Sequence, residues 1–476
     1  MPSRALPPGG TFIQNRTFDE IKIGDSAQTV RVLRAVDIQL FAAISGDINP
    51  THLDPDFAHS GQFREIVAHS LWGGTLVSAV LGSELPGPGT VYVSQSFSFR
   101  RPVTVGDTLT VTVTCREKHE HNHHIVFGCL AVNQSGVTVM DGIAEVTAPT
   151  EKIRRPRILP PDISISDREE RFRNLLSLVE GIAPIPAAVA CPTDTVSLRS
   201  TLLATEIGLI HPILVGPSRK IHTLAEEQGL SLKGFSVVDA DPAHAAHAAI
   251  ALCRSDTAKI LIQGDLPVAP FMRTLLSANN GLRTTRQASH AFLISAPACP
   301  KLLLLTDAAL NVAPTLEEKA DILRNALELS RFLGVNEPRV ALLAATDAAD
   351  SADSKMSAAQ DAVALRHMAS SGQIQGGLLD GPLSLDVAVS PRAALAAGVR
   401  SPVTGNADIL FVPNIEAGHM MAKQFEYFSG ALMGGIVLGT KVPVAPAGHT
   451  DTVQTRAVSC IIACLVHHHK QGDFTS

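Results

Sequence analysis

Near residue 150 the hydrophobic pattern changes period, so a single kind of sheet cannot account for the whole chain. Before that point, apolar and polar residues alternate. In Thr108 to Cys115, Leu109, Val111, Val113 and Cys115 alternate with four threonines. In Val91 to Phe99 the same rule puts Val91, Val93, Phe97 and Phe99 on one face and Tyr92, Ser94, Ser96 and Ser98 on the other. A two-residue period marks half-buried antiparallel strands. Ile125 to Val132 and Val137 to Val146 continue the meander, and one helix rich in small residues, Leu71 to Leu81, precedes it. After Glu151 to Ser166, a charged and Pro-rich stretch, the apolar runs become short and unbroken: 212–215, 260–262, 292–294, 302–305, 340–343, 409–412 and 436–438. Helical stretches separate them, which predicts a parallel sheet covered on both faces. One of those helices is well marked, by a capping box at Thr315 and Glu318 and a stop at Gly334.

A length of 476 residues implies two or three domains. With 45% hydrophobic and 18% charged residues, disorder is excluded as the main state. A net charge of −6, 4% aromatics and no Lys/Arg run argue against a nucleic-acid surface. The start, MPSRALPPGG, has no apolar core of a secretory signal, and the apolar runs are too short to span a bilayer. Seven scattered cysteines fit reduced thiols rather than a disulfide framework. Together these predict a cytoplasmic protein.

The segment GDINPTHLD, Gly46 to Asp54, places a carboxylate at Asp47 and an imidazole at His52 around Asn49 and Pro50. Pro50 forbids a continuous helix across the pair, so a tight turn can bring both onto one water. Adding water to an activated double bond needs such a pair: one group takes a proton and the other delivers one. By composition alone the segment is also an ordinary surface turn. The histidines of KHEHNHHI, His119 to His124, fall between two alternating strands and read as a hairpin tip. His467, His468 and His469 read as part of a polar C-terminal tail.

With Asp47, Asn49, Pro50, His52 and His69, the stretches 76–99 and PVTVGDTL at 102–109 make the first ~150 residues resemble a MaoC-like, R-specific enoyl-CoA hydratase of the hot-dog fold. The resemblance implies that Asp47 and His52 are catalytic and hold a water. It places Asn49, Ser70 and Ser78 around the substrate, with a backbone N–H at the start of the Leu71 helix on the thioester oxygen. The family has Gly where this chain has Ser70. A backbone donor survives that change; a conformation open only to Gly would not.

From about residue 180 the stretches HPILVGP (211–217), GLRTTRQASHAFLIS (281–295), KLLLLTDAALNVAPTLEEKADI (301–322), GGLLDGPLSLDVAVS (376–390), ADILFVPNIEAGHMMAKQ (407–424) and GGIVLGTKVPV (434–444) resemble the phosphate acetyl/butyryltransferase family. The resemblance implies two α/β subdomains with a cleft between them, and acyl exchange between CoA and phosphate. It makes Asp451 the base for the CoA thiol and puts Arg286, Asp307, Asn311, Asp380 and His449 around the substrates. Where the family carries a Ser-Arg pair, this chain has Gly448 and His449. Gly offers no side-chain donor, and His lacks the planar two-point grip of Arg on phosphate.

The expected architecture is an α+β hot-dog domain (1–150), a linker (151–175) and an α/β phosphate acyltransferase domain (176–476). The expected function is hydration of trans-2-enoyl-CoA to (R)-3-hydroxyacyl-CoA together with reversible acyl transfer between CoA and phosphate. The alternative is an active hydratase whose second domain is an impaired acyl-CoA-binding or oligomerisation module; thioesterase chemistry in the first domain is a third reading. No cofactor or metal is called for, with CoA thioesters and phosphate as substrates. The partners expected are acyl-CoA, CoA, phosphate or acyl phosphate and a second copy of the chain.

Overall fold

The computed structural model describes residues 12–61, 63–158, 163, 165, 167–279, 281–347 and 355–470. The chain divides into two compact units, Met1–Ile165 and Ser166–Ser476.

The first unit has strands β1 (Phe12–Gln14), β2 (Ser26–Val32), β3 (Val91–Phe99), β4 (Thr108–His119), β5 (His124–Val132), β6 (Thr138–Thr147) and β7 (Arg154–Pro156). Its helices are α1 (Ala35–Ser45), α2 (Pro50–Leu53), α3 (Pro55–Ser60) and α4 (Leu71–Ser83). Five strands form an antiparallel sheet in the order β2-β4-β5-β6-β3, and β1 pairs separately with β7. Alternation holds along β4, where Leu109, Val111, Val113 and Cys115 are buried. They pack with Trp72, Val77, Val80 and Leu81 of α4 and with Phe127 and Ala144. Gly74 lets the helix approach: a Cβ there would lie 3.2 Å from the Phe97 ring.

Along β3 the simple alternation fails. A register shift between Tyr92 and Ser94 reverses the phase, so Tyr92 and Phe97 both pack on the core while Val91 and Val93 are exposed; Phe99, the last residue of the strand, is exposed as well. A bulge adds one residue to one strand, and every side chain beyond it changes face. The stretch expected to be a linker also carries structure. Arg154–Pro156 is a strand of the first unit, and α5 (Arg168–Leu176) is a helix of the second.

The second unit continues with β8 (Ile185–Ala190), β9 (Ile210–Gly216), β10 (Ser236–Asp239), β11 (Ile260–Gln263), β12 (Ser289–Ser295), β13 (Leu303–Thr306), β14 (Arg339–Leu343), β15 (Leu378–Leu383), β16 (Ile409–Phe411), β17 (Leu432–Leu438) and β18 (Val444–Ala445). The helices are α6 (Thr195–Glu206), α7 (Ser218–Glu227), α8 (Pro242–Arg254), α9 (Val268–Leu275), α10 (Leu316–Phe332), α11 (Ser357–Ser370), α12 (Leu385–Val389), α13 (Pro391–Ala397), α14 (Ile415–Tyr427) and α15 (Val453–Lys470). Each unbroken apolar run of the sequence lies on or overlaps a strand of one 11-stranded sheet, ordered β10-β9-β8-β11-β18-β17-β12-β13-β16-β14-β15. The sheet is mixed rather than wholly parallel, because β12 runs antiparallel to both β13 and β17. Unbroken hydrophobicity reports burial on both faces and says nothing about strand direction. The Thr315–Glu318 capping box forms and starts α10.

Helix α15 is buried along most of its length, Cys460 and Cys464 included. His467, His468 and His469 form its last turn, not a tail, and the His469 ring stacks on Phe332 at 4.7 Å. All seven cysteines are free; six are buried and Cys299 is partly exposed. Among the described residues no helix is long and apolar enough to cross a membrane.

Candidate active sites in the two units

The GDINPTHLD segment folds as a chain of caps. Gly46 closes α1 in the left-handed conformation, at φ 75°, a region Gly enters without the Cβ penalty. Asn49 Oδ1 accepts the Thr51 N–H at 3.1 Å and caps α2, with Pro50 at its first position. Asp54 caps α3 in the same way. The proline thus separates Asp47 from His52, as its geometry demands. Asn49, expected beside the substrate, has its side-chain oxygen engaged as a helix cap.

Asp47, His52 and His69 each bring a ligating atom within 4.8 Å of the others. His52 Nδ1 lies 2.8 Å from the Val67 carbonyl. A carbonyl only accepts, so Nδ1 carries the hydrogen and Nε2 keeps the lone pair in the neutral ring. His69 Nε2 likewise donates to the Asp47 carbonyl at 3.0 Å, which leaves its buried Nδ1 with no protein partner. The two rings lie 4.0 Å apart, with Phe41 stacked on His69 at 4.8 Å. One carboxylate and two imidazoles with ligating atoms this close suit a water, and the donor set would also suit a divalent ion. His69 belonged to the sequence pattern without being assigned a role there; its signal is a second imidazole just ahead of the helix.

Ser70 precedes α4 with φ −56° and ψ −36°, an ordinary right-handed conformation. The Gly-to-Ser departure therefore costs nothing in the backbone, and the unpaired amides of the first turn remain available as donors. Ser70 and Ser78 are both exposed.

In the second unit a cavity of about 790 Å³ opens where β17 and β12 meet the loop after β18. Val268, Met272, Phe292, Leu310, Ile415, Met420, Met433, Val437 and Pro446 give it an apolar wall. Asp451 and Gly448 lie in that wall, and the Gly448 N–H donates to Asp451 Oδ2 at 2.7 Å. Burial raises the Asp451 pKa above the ordinary carboxylate value, against the pull of that N–H and of the Arg456 and Lys423 charges. A more basic carboxylate is a better acceptor for a thiol proton. A Cβ on Gly448 would meet Asp451 Oδ1 at 2.8 Å, so a side chain at 448 would require Asp451 to move.

The remaining expected residues are distributed differently. His449 is exposed and does not line the cavity. Asp307 does not face it either, because its carboxylate is fully engaged. Oδ1 accepts the Ala309 and Leu310 N–H groups at 3.0 and 2.9 Å; Oδ2 accepts the His290 N–H at 3.0 Å and Asn311 Nδ2 at 2.6 Å. Asn311 in turn donates to the Ala288 carbonyl and accepts from Gln287. Both residues position the wall that includes Ala309, Leu310 and His290. Arg286 pairs with Glu328 at 2.7 Å and reaches Asn325 at 3.3 Å. It lines a separate groove with Arg324, Arg331, Gln373 and Gln375 on the α10 side of the sheet. Asp380, on the edge strand β15, bonds Arg366 and the Gly381 N–H and is not part of the cavity.

His290, absent from the expected site, lines the cavity and is 3% exposed. Its Nδ1 is buried without a partner. Burial holds it well below the ordinary imidazole range, opposed by the Asp307 charge, so it is neutral near pH 7. A titratable residue inside the apolar strand SHAFLIS was the available signal.

Residues 241–464 match the family model "Phosphate acetyl/butaryl transferase", and residues 20–132 match "MaoC like domain". A phosphate acetyltransferase of Rickettsia prowazekii is 39% identical over 323 residues, 67% of this chain and 91% of that protein. The crystal structure of a branched-chain phosphotransacylase from Enterococcus faecalis is 28% identical, covers 60% of this chain and 99% of its own, and superposes with a TM-score of 0.53. The unliganded R-hydratase PhaJ1 from Pseudomonas aeruginosa is 41% identical across 33% of this chain and 99% of its own, with a TM-score of 0.32.

Proposed function

Because the chain belongs to the phosphate acetyl/butyryl transferase family and carries a MaoC-like domain ahead of it, we propose that it is a bifunctional acyl-CoA enzyme. It hydrates trans-2-enoyl-CoA to (R)-3-hydroxyacyl-CoA in the first unit and exchanges CoA for phosphate on an acyl group in the second. The first activity rests on the convergence of Asp47, His52 and His69 within 4.8 Å. In this reading one of Asp47 and His52 takes a proton from a bound water. The hydroxide oxygen bonds to the β-carbon, and the other group returns a proton to the α-carbon. The amides at the start of α4 stabilise the enolate oxygen between these steps. The R stereochemistry follows the family resemblance of the motifs.

The second activity rests on the half-buried Asp451 in its cavity, whose proton affinity is raised. Asp451 takes the CoA thiol proton. The thiolate attacks the acyl phosphate carbonyl, the tetrahedral intermediate collapses, and phosphate leaves; the reverse runs through the same groups. The first reaction takes an enoyl-CoA thioester and water, the second an acyl-CoA and phosphate or the reverse pair, and neither is proposed to need a resident cofactor.

A second copy of the chain fits the free edge of β3, where Val91, Val93 and Phe99 are exposed. An apolar edge strand calls for cover.

The deciding experiment assays crotonyl-CoA hydration and acyl-CoA formation from acyl phosphate and CoA on one preparation. Both rates should be well above background, the second dependent on Asp451. Robust hydration with no transfer would sink the second half and leave an acyl-CoA-binding or oligomerisation module, the reading that Gly448 and the outward His449 favour.

A further inference from the structure

We propose that the second unit's cavity selects acyl groups bearing a hydroxyl at the third carbon, and that His290 is the group that reads it. This rests on the transferase reading above and names its substrate class.

The cavity wall is apolar except for a few polar groups, and most of those already have protein partners. Asp451 accepts the Gly448 N–H, Lys423 pairs with Glu426 at 2.6 Å, and Thr455 shares a hydrogen bond with Thr452 at 3.0 Å. His290 differs. Its ring lines the cavity, it is 3% exposed, and its Nδ1 has no partner. Nδ1 itself is closed off by protein, so the ring meets a ligand through its other edge, Nε2, beside Gly435; a hydrogen bond made there to what enters is worth about 1 kcal/mol or more in so apolar a wall.

The local packing keeps the ring reachable. Gly435 lies beside it, and a Cβ at that position would come within 2.7 Å of Nε2. Asp307 fixes the backbone of His290 rather than its ring, by accepting its N–H. No protein contact at Nδ1 dictates the tautomer, so Nε2 can donate or accept. A hydroxyl, which does both, satisfies either form. A saturated acyl chain does neither, and would leave the imidazole buried against methylene groups.

The volume, about 790 Å³, is ample for an acyl chain longer than acetyl. The matching ligand is then a 3-hydroxyacyl thioester, the product class proposed for the first unit. Two halves of one chain would handle successive forms of the same acyl group.

A site built to bond a hydroxyl rejects the analogue lacking it, because its own polar group is then unpaired. The expected preference is at least about tenfold, the equivalent of one hydrogen bond. The test uses the full-length protein with Asp47→Asn, so that ligands are not interconverted by the first unit. Transfer rates are measured in the phosphorolysis direction with phosphate saturating and 3-hydroxybutyryl-CoA or butyryl-CoA varied, and repeated with His290→Leu and His290→Gln.

The proposal expects kcat/KM about tenfold or more in favour of the 3-hydroxy substrate. It expects that ratio to fall to near one in His290→Leu and to be largely restored in His290→Gln. Equal rates in the parent protein would overturn it while leaving transferase activity standing. A loss in His290→Leu that is equal for both substrates would overturn it too, and would reassign His290 to the thioester oxygen. Turnover of neither substrate would remove the transferase reading, and the proposal with it.

Discussion

In the first unit the reactive groups come from residues 47 to 69, a stretch of turn, two short helices and a loop. In the second, the cavity draws His290 from β12, Gly435 from β17, Gly448 and Asp451 from the loop after β18, and Lys423 from α14. The first arrangement is fixed by local caps, and Asp47 and His52 are at least partly open to water. The second exists only when distant strands are packed correctly; its acid is partly buried and its imidazole almost wholly so. The assembled site uses the surrounding protein to shift proton affinities, raising Asp451 and lowering His290. A perturbed pKa in a cavity is itself a functional pointer.

The sharpest break between the two would come from Asp47→Asn. Crotonyl-CoA hydration should fall about 10³-fold, with acyl transfer unchanged; parallel loss of both would mean that the units are not independent. Asp451→Asn should lower transfer about 10²-fold and leave hydration alone.

The same Asp451 variant should raise the melting temperature at neutral pH. A carboxyl whose folded pKa is raised binds its proton more tightly folded than unfolded. Its favourable contribution is complete below the unfolded carboxyl pKa and is lost as pH rises through the folded one. Thermal melts of the two proteins should therefore converge on acidification; a gap independent of pH would contradict the burial of its charge. His290 has the opposite sign. Its lowered folded pKa gives stability that is present above pH 6.5 and declines as pH falls below it, and His290→Gln should flatten that decline.

Packing offers a smaller test within the first unit. A Cβ at Gly142 would overlap the Ser96 carbonyl oxygen and press on the Phe97 ring, whereas one at Gly82 of α4 meets nothing within 4 Å. Gly142→Ala should destabilise the unit by about 3 kcal/mol, at the upper end for overpacking. Gly82→Ala should stabilise it by about 0.5–1 kcal/mol, both read by denaturant melts. The smallest effect concerns metal. Dialysis against a chelator should leave hydration unchanged, and a loss restored by one divalent ion would turn the Asp47–His52–His69 cluster from a water site into a metal site.

How much of this was legible in the sequence follows the same division. The turn at Pro50, the capping box at Thr315, the strand β4 and the apolar runs of the second unit all depend on neighbours in the chain, and all were readable. The phase of β3 was not, because one bulge near Val93 reverses it and no composition signals a bulge there. Nor was the mixed direction of the large sheet. Asp307 and Asn311 had the right neighbourhood, but their role is to hold the wall, and only three-dimensional bonding distinguishes holding from lining. Arg286 had the chemistry of an anion ligand, yet its partner Glu328 lies a helix away in sequence.

The distribution of thiols gives the molecule an internal clock. Cys115 and Cys129 are buried in the first unit, Cys191, Cys253, Cys460 and Cys464 in the second, and Cys299 is partly exposed. A thiol-reactive dye should mark Cys299 at once and the others only as their surroundings open, since burial also suppresses their thiolates. Mass spectrometry of timed samples would then report two further adducts when the first unit opens and four when the second does. The order in which those adducts appear would rank the two halves by their resistance to unfolding, without any engineered probe.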